Sequence, residues 1–97
     1  MVGKYPDRLR LDLYLKRSGL VKRRSLAATL CDNEYVNLNG RPAGPGKSVK
    51  MGDRLEIRYA RKKVLVEVTG IPGKQVKKGE SYDILNEEVI EEDLFGD

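Results

Sequence analysis

An α+β fold is predicted by a change of hydrophobic period part-way along the chain. Two short segments of helical spacing come first, and several segments of alternating spacing follow. Asn39-Gly40 and Gly52-Asp53 punctuate the alternating part as turns between antiparallel strands. The expected architecture is therefore a two-helix motif packed on a small antiparallel β-sheet, with an acidic C-terminal tail. The 97 residues make one domain with a modest core and little room for a deep catalytic cavity.

The elements follow in order. Residues 1–7 read as an N-terminal arm, with Pro6-Asp7 as a helix entry and Asp7 near the N-cap. The first helix is expected over residues 8–17. Leu11, Tyr14 and Leu15 share one face and Leu9 and Leu13 another, so its start is placed only to within a turn. Gly19 supplies the C-terminal stop. A second helix is expected from Arg24 to Asp32, with Leu26, Ala27, Leu30 and Cys31 as its apolar stripe. Cys31 then reads as a buried packing thiol.

After Asn33-Glu34 the period becomes two. Residues 35–38 alternate, Asn39-Gly40 turns, and Arg41-Pro42 begins the return strand, where proline is confined to an edge. Residues 43–50 read as a loop. Leu55, Ile57 and Tyr59 alternate with Arg54, Glu56 and Arg58 as a half-buried strand. Residues 60–63 form the next turn, and Val64, Val66 and Val68 give the inward face of another strand. The domain is expected to span residues 8–72. Beyond it lie a basic loop (73–80), a short edge strand (81–85) and an acidic tail in which Val89, Ile90, Leu94 and Phe95 suggest a helical apolar edge.

Charge and composition narrow the function. The last eighteen residues hold eight acids and no Lys or Arg, so the first 79 hold all 19 cations against seven acids, a net of +12. A body this basic suits a polyanion, nucleic acid first among them. The chain has one cysteine and no histidine, which removes the commonest general base, the internal disulfide and the usual zinc spacings. Asp12, Asp53 and Glu56 are the obvious acids of the basic region, and turn or strand roles explain each. No enzyme activity, metal or cofactor is expected. No apolar run approaches a membrane span and the first residues lack an apolar signal core, so the expected location is cytoplasmic.

The sharpest feature is Lys22-Arg23-Arg24-Ser25 at the expected start of the second helix. A helix start carries partial positive charge and normally attracts acids, so each cation there costs about 0.3–1 kcal/mol unless an anion binds. Outward-pointing backbone N–H groups and forked guanidinium groups together suit a phosphate. The segment is read as a phosphate seat. The second helix is poor in base-reading side chains, which argues against a DNA-reading helix-turn-helix. The tyrosines are scattered rather than spaced for base stacking. Recognition of backbone and shape, as in structured RNA, fits better. Candidate RNA contacts are Arg8, Arg10, Lys16, Arg17, Lys22, Arg23 and Arg24, with the loop cations Lys47, Arg61, Lys62 and Lys63 extending the footprint.

Five pieces in register carry a resemblance: Arg10-Leu11-Asp12, then Leu15, then Lys22-Arg23-Arg24-Ser25 with Ala27, then Val36-Asn37-Leu38-Asn39-Gly40, then Val49-Lys50-Met51-Gly52-Asp53. Together they resemble the S-four RNA-binding domain over residues 8–59. The resemblance implies two helices on a small sheet with RNA held on the helical face, and no catalytic domain. It implies that Arg10 opens the first helix, that Asp12 partners a nearby cation, and that Arg24 contacts the RNA backbone. This chain departs from the pattern with Arg23, where many members have serine, and with Gly46-Lys47-Ser48, where many have Pro-Ser. Of the stand-alone branches, the one acting in ribosome-associated quality control is more similar than the heat-shock-fifteen type, on residues 20–27 and 82–88. That branch implies docking on large-subunit rRNA and tRNA, on subunits carrying a stalled peptidyl-tRNA, beside a protein partner that tails the stalled chain. A free monomer is expected. Ribosome assembly, or a basic module for a protein partner, is the alternative.

Overall fold

A computed structural model describes residues 8–72 and 80–90. Within them the order is β1 (Arg8–Arg10), α1 (Leu11–Ser18), α2 (Arg24–Asp32), β2 (Val36–Leu38), β3 (Arg41–Pro42), β4 (Ser48–Lys50), β5 (Arg54–Arg58), β6 (Lys62–Val68) and β7 (Tyr82–Val89). The strands form an antiparallel five-stranded sheet in the order β3-β2-β5-β6-β7 and a two-stranded ribbon of β1 and β4. The two helices pack on one face of the larger sheet, and the expected α+β class is what the chain adopts.

The core is built from the expected stripes. Leu11, Tyr14 and Leu15 of α1 and Ala27 and Cys31 of α2 are buried against Val36, Leu55, Ile57, Val64, Val66 and Val68 of the sheet. Two tyrosines extend this packing with directed bonds. Tyr14 Oη donates to the Ser81 carbonyl at 2.8 Å, which ties α1 to the start of β7. Tyr59 Oη donates to the Leu20 carbonyl at 2.7 Å, which ties the sheet to the turn between the helices. Gly19 caps α1 in the left-handed region (φ 86), as its lack of Cβ permits. Asn39 and Gly40 both have positive φ, as a type I′ hairpin requires.

Four expectations are corrected. Residues 8–10 are a strand, so α1 starts at Leu11 with Arg10 at the N-cap rather than Asp7. The second apolar stripe was the sign of that switch, because half-buried Leu9 belongs to β1, opposite Val49. Residues 48–50, expected in a loop, are the partner strand β4, organised around fully buried Val49. The turn after β5 is tighter than expected, because β6 already begins at Lys62. The edge strand continues to Val89, where a helical tail was expected. There Glu87 and Glu88 face Lys62 and Lys63 across the strand pair, so charge pairing and the open edge of β6 outweigh the helical spacing of the apolar residues. The N-terminal arm, most of the basic loop, and Leu94 and Phe95 lie outside the described residues.

Candidate nucleic-acid interface

The site begins with a buried acid. Asp12 sits in the first turn of α1, where the helix dipole favours a carboxylate, and is almost inaccessible to solvent. Arg10 Nε lies 2.9 Å from Asp12 Oδ1 and its Nη2 3.3 Å from Oδ2. Arg24 Nε lies 3.4 Å from the same Oδ2. Burial pushes the carboxyl up, but the Arg10 hydrogen bond and the charges of Arg24 and Arg10 outweigh it, and the group is held below the ordinary carboxylate range. One carboxylate thus gathers two arginines, from the N-cap of α1 and the first residue of α2. Both arginine side chains stay about half exposed, 50% and 49%, and a guanidinium has five N–H donors, so each retains capacity for a second anion.

The loop before β4 closes onto the same place. The Leu11 N–H donates to the Lys47 carbonyl at 2.7 Å and the Asp12 N–H to the Pro45 carbonyl at 3.0 Å. These bonds satisfy two of the open donors of α1 and hold exposed Lys47 beside Arg10. Arg8, two residues before Arg10 on the same face of β1, is exposed as well.

At α2 the cations stand against the dipole. Arg23 is the N-cap in an extended conformation with no side-chain cap, and the first turn holds no acid. The first intrahelical bond runs from the Ala27 N–H to the Arg23 carbonyl at 3.0 Å, so the N–H groups of Arg24, Ser25 and Leu26 point out of the helix end. Lys22 and Arg23 are exposed and carry no ion pair among the described residues. With Ser25, Leu26 and Thr29 they outline a shallow depression at that end. No described acid offsets their charge. Lys16 and Arg17 differ: they occupy the last turn of α1, where the dipole itself favours cations.

The remaining candidates sit on the sheet. Arg61 is exposed in the β5–β6 turn. Lys62 lies 3.6 Å from Glu87 and 5.5 Å from the centre of the Tyr59 ring. Lys63 contacts Glu56 and Glu88 at 3.8 and 3.7 Å on the sheet face away from the helices. The structure therefore gathers Arg10, Arg24 and Lys47 around Asp12, places Lys22 and Arg23 next to them, and pairs Lys62 and Lys63 with acids. Sequence reading missed Thr29, whose i, i+4 spacing from Ser25 on the polar face of α2 was the available signal. It also missed the Asp53 cluster. There the Lys50 N–H, Asn39 Nδ2 and Lys50 Nζ reach the carboxylate at 2.9, 3.1 and 3.3 Å and fix the loop beside the hairpin.

Comparison with known proteins gives this constellation a context. The S4 domain family matches residues 9–55, which hold both helices, Asp12 and every cation of the α2 end. The RQC P-site tRNA stabilizing factor of Halalkalibacterium halodurans is 42% identical over 85 residues, covering 84% of this chain and 96% of that protein. The chain belongs to the S4-domain family of RQC P-site tRNA stabilizing factors. The Bacillus subtilis factor is 38% identical over 86 residues, covering 87% of this chain and all of that protein. The likeness to the family thus continues past the S4 match, which ends at Leu55, into the β6–β7 half of the sheet. Among solved structures, the trimeric heat shock protein 15 of Vibrio cholerae superposes with a TM-score of 0.72 at 28% identity, over 79% of this chain and 81% of that one.

Among the described residues no group of three or more metal-ligating side chains is found. Cys31 is buried and its thiol is pushed up to about 11 by burial and by the charges of Asp12 and Asp32, so it is a poor nucleophile.

Proposed function

We propose that this chain is a non-enzymatic RNA-binding factor of ribosome-associated quality control, which docks on large-subunit rRNA and stabilises tRNA in the P site. The observation that carries the reading is the start of α2. Lys22, Arg23 and Arg24 crowd a helix end that has no cap and no first-turn acid, which is unfavourable until an anion arrives. A nucleic-acid phosphate supplies that anion. It would accept bonds from the N–H groups of Arg24, Ser25 and Leu26 and forked bonds from the arginines. Asp12 acts as a positioning residue by fixing Arg10 and Arg24 in one geometry. Arg8 and Lys47 widen the contact on one side and Lys16 and Arg17 on the other, while Arg61, Lys62 and Lys63 contribute at its margin.

The reading extends to the whole chain. The RNA-binding unit is residues 8–72, residues 1–7 are an arm, and residues 73–97 add the loop, the β7 strand and the acidic tail. The factor works in the bacterial cytoplasm as a monomer when free. On a stalled subunit it sits beside the protein that extends the nascent chain. Similarity to the P-site factors supports these assignments, and the charge and shape of the helical face suit them.

Co-sedimentation with large subunits, empty or carrying peptidyl-tRNA, tests the reading across a salt series. The expected result is preference for tRNA-loaded subunits, with log affinity falling by roughly 0.7–0.9 per phosphate neutralised for each log unit of salt. Arg23→Ala/Arg24→Ala is expected to weaken binding at least tenfold and flatten the slope. Equal binding to empty subunits favours an assembly factor, and salt-insensitive, RNase-resistant capture favours a protein partner.

A further inference from the structure

A cleft of about 450 Å³ opens between the start of α2 and the outer strands of the sheet. Leu20, Leu26 and Leu30 line it on the helical side, and Val64, Tyr82 and Ile84 on the sheet side. Leu26 is 47% exposed and Ile84 54%, so large apolar surface faces the cleft uncovered. Its volume is about three times the roughly 150 Å³ that holds one benzene ring in an apolar cavity. Lys22 and Lys62 stand on its opposite walls, and Lys22 also borders the depression at the α2 end. The cleft is thus apolar along its floor, cationic at its rim, and continuous with the phosphate seat.

We infer that residues 91–97 of this same chain occupy the cleft and compete with RNA for its basic rim. Three observations select this occupant. The first is where the described chain ends: the Ile90 N–H donates to the Arg61 carbonyl at 2.8 Å, next in sequence to Lys62, which lines the cleft. The second is reach, since five residues of extended chain span up to about 17 Å. The third is chemistry. The segment reads Glu91-Glu92-Asp93-Leu94-Phe95-Gly96-Asp97, one apolar pair flanked by four acids. Leu94 and Phe95 suit the floor, and the acids suit Lys22 and the neighbouring Arg23. Glu87 is the acid already on the cleft wall and is paired with Lys62, so Lys22 and Arg23 are the cations left for the segment. Docked there, the segment places carboxylates where a phosphate would sit. Weak, non-specific RNA is excluded, and an RNA that engages the whole helical face displaces the segment.

The competition rests on the RNA-binding reading, but the docking does not, and two measurements separate them. A nitroxide attached at Asp97→Cys on the otherwise intact chain reports docking without RNA, since buried Cys31 does not take the label. It is expected to broaden the amide signals of Lys22, Leu26 and Ile84, and Leu94→Ser/Phe95→Ser is expected to abolish that broadening. Broadening confined to residues next to the label overturns the inference, whatever the RNA does. The second measurement is titration with an unrelated RNA hairpin at low salt. Leu94→Ser/Phe95→Ser keeps every charge and is expected to bind at least threefold more tightly than the unaltered chain, as does a chain ended after Ile90. A gain on truncation without a gain in the double variant means charge repulsion from an undocked tail and overturns the inference. Broadening as expected with no RNA binding by any form upholds docking and removes the RNA-binding reading instead.

Discussion

Asp12 does the most organising work for its size. Its carboxyl accepts from Arg10 and faces Arg24, so a single substitution disconnects the two helix starts. Asp12→Asn keeps the shape and removes the charge. It is expected to lower stability by on the order of 1 kcal/mol, a modest figure because both arginines are half solvated. RNA affinity should fall further than stability does, and chemical denaturation beside an RNA titration checks the pair. The sign of the pH effect follows from the same contacts. The folded carboxyl is held below its ordinary 3.8, as is that of Asp53, so their stabilisation is complete above that value. It is lost as pH falls through the lowered folded values. Unfolding midpoints should be flat with respect to these groups at neutral pH and drop in strong acid, and Asp12→Asn should drop less steeply. Cys31 gives a control at the same scale. Buried and raised to about 11, its thiol should resist Ellman's reagent in the native state and react once the chain unfolds. Rapid native reaction would contradict the packing described.

At the scale of elements, the β2–β3 hairpin shows how local chemistry fixes a site some distance away. Asn39 adopts positive φ in the turn, donates from Nδ2 to Asp53 at 3.1 Å and accepts the Arg54 N–H at 2.9 Å. Asn39→Ala loses both bonds and strains the backbone. A loss of about 2 kcal/mol is expected in denaturant unfolding, with RNA affinity near normal because the helix starts are untouched. This hairpin was legible in the sequence because Asn-Gly has few other uses. The α2 boundaries and the Leu11-Tyr14-Leu15 stripe were legible from helical apolar spacing, although the second stripe through Leu9 and Leu13 left the start of α1 open. Legibility failed where pairing is non-local. Nothing near Arg8-Leu9-Arg10 announces that its partner is Ser48-Val49-Lys50, some forty residues on. Likewise Asn86–Val89 become strand because Lys62 and Lys63 wait across the sheet. The cations of the site were visible from sequence, but their grouping was not. Arg10 and Arg24 share one carboxylate only after the helices pack, and the Leu26 side of the α2 stripe stays open because no described element covers it.

The whole molecule divides its charge by place. The helical face and the loop before β4 collect cations in excess of the one carboxylate, Asp12, that gathers Arg10 and Arg24. The outer strands of the sheet pair lysine with glutamate. Tyr59 and Tyr14 couple the two halves, so the sheet holds the inter-helix turn in position. Family membership and the uncapped basic helix start converge on a factor that works by docking. The most direct test is a structure of the chain on a large subunit carrying peptidyl-tRNA, resolved at side-chain level. The account predicts an RNA phosphate at the start of α2, within hydrogen-bond reach of the Arg24–Leu26 amides and of Arg23 or Arg24, with the β7 edge facing away from RNA. A bound chain whose α2 start faces solvent while its sheet meets the RNA would contradict it.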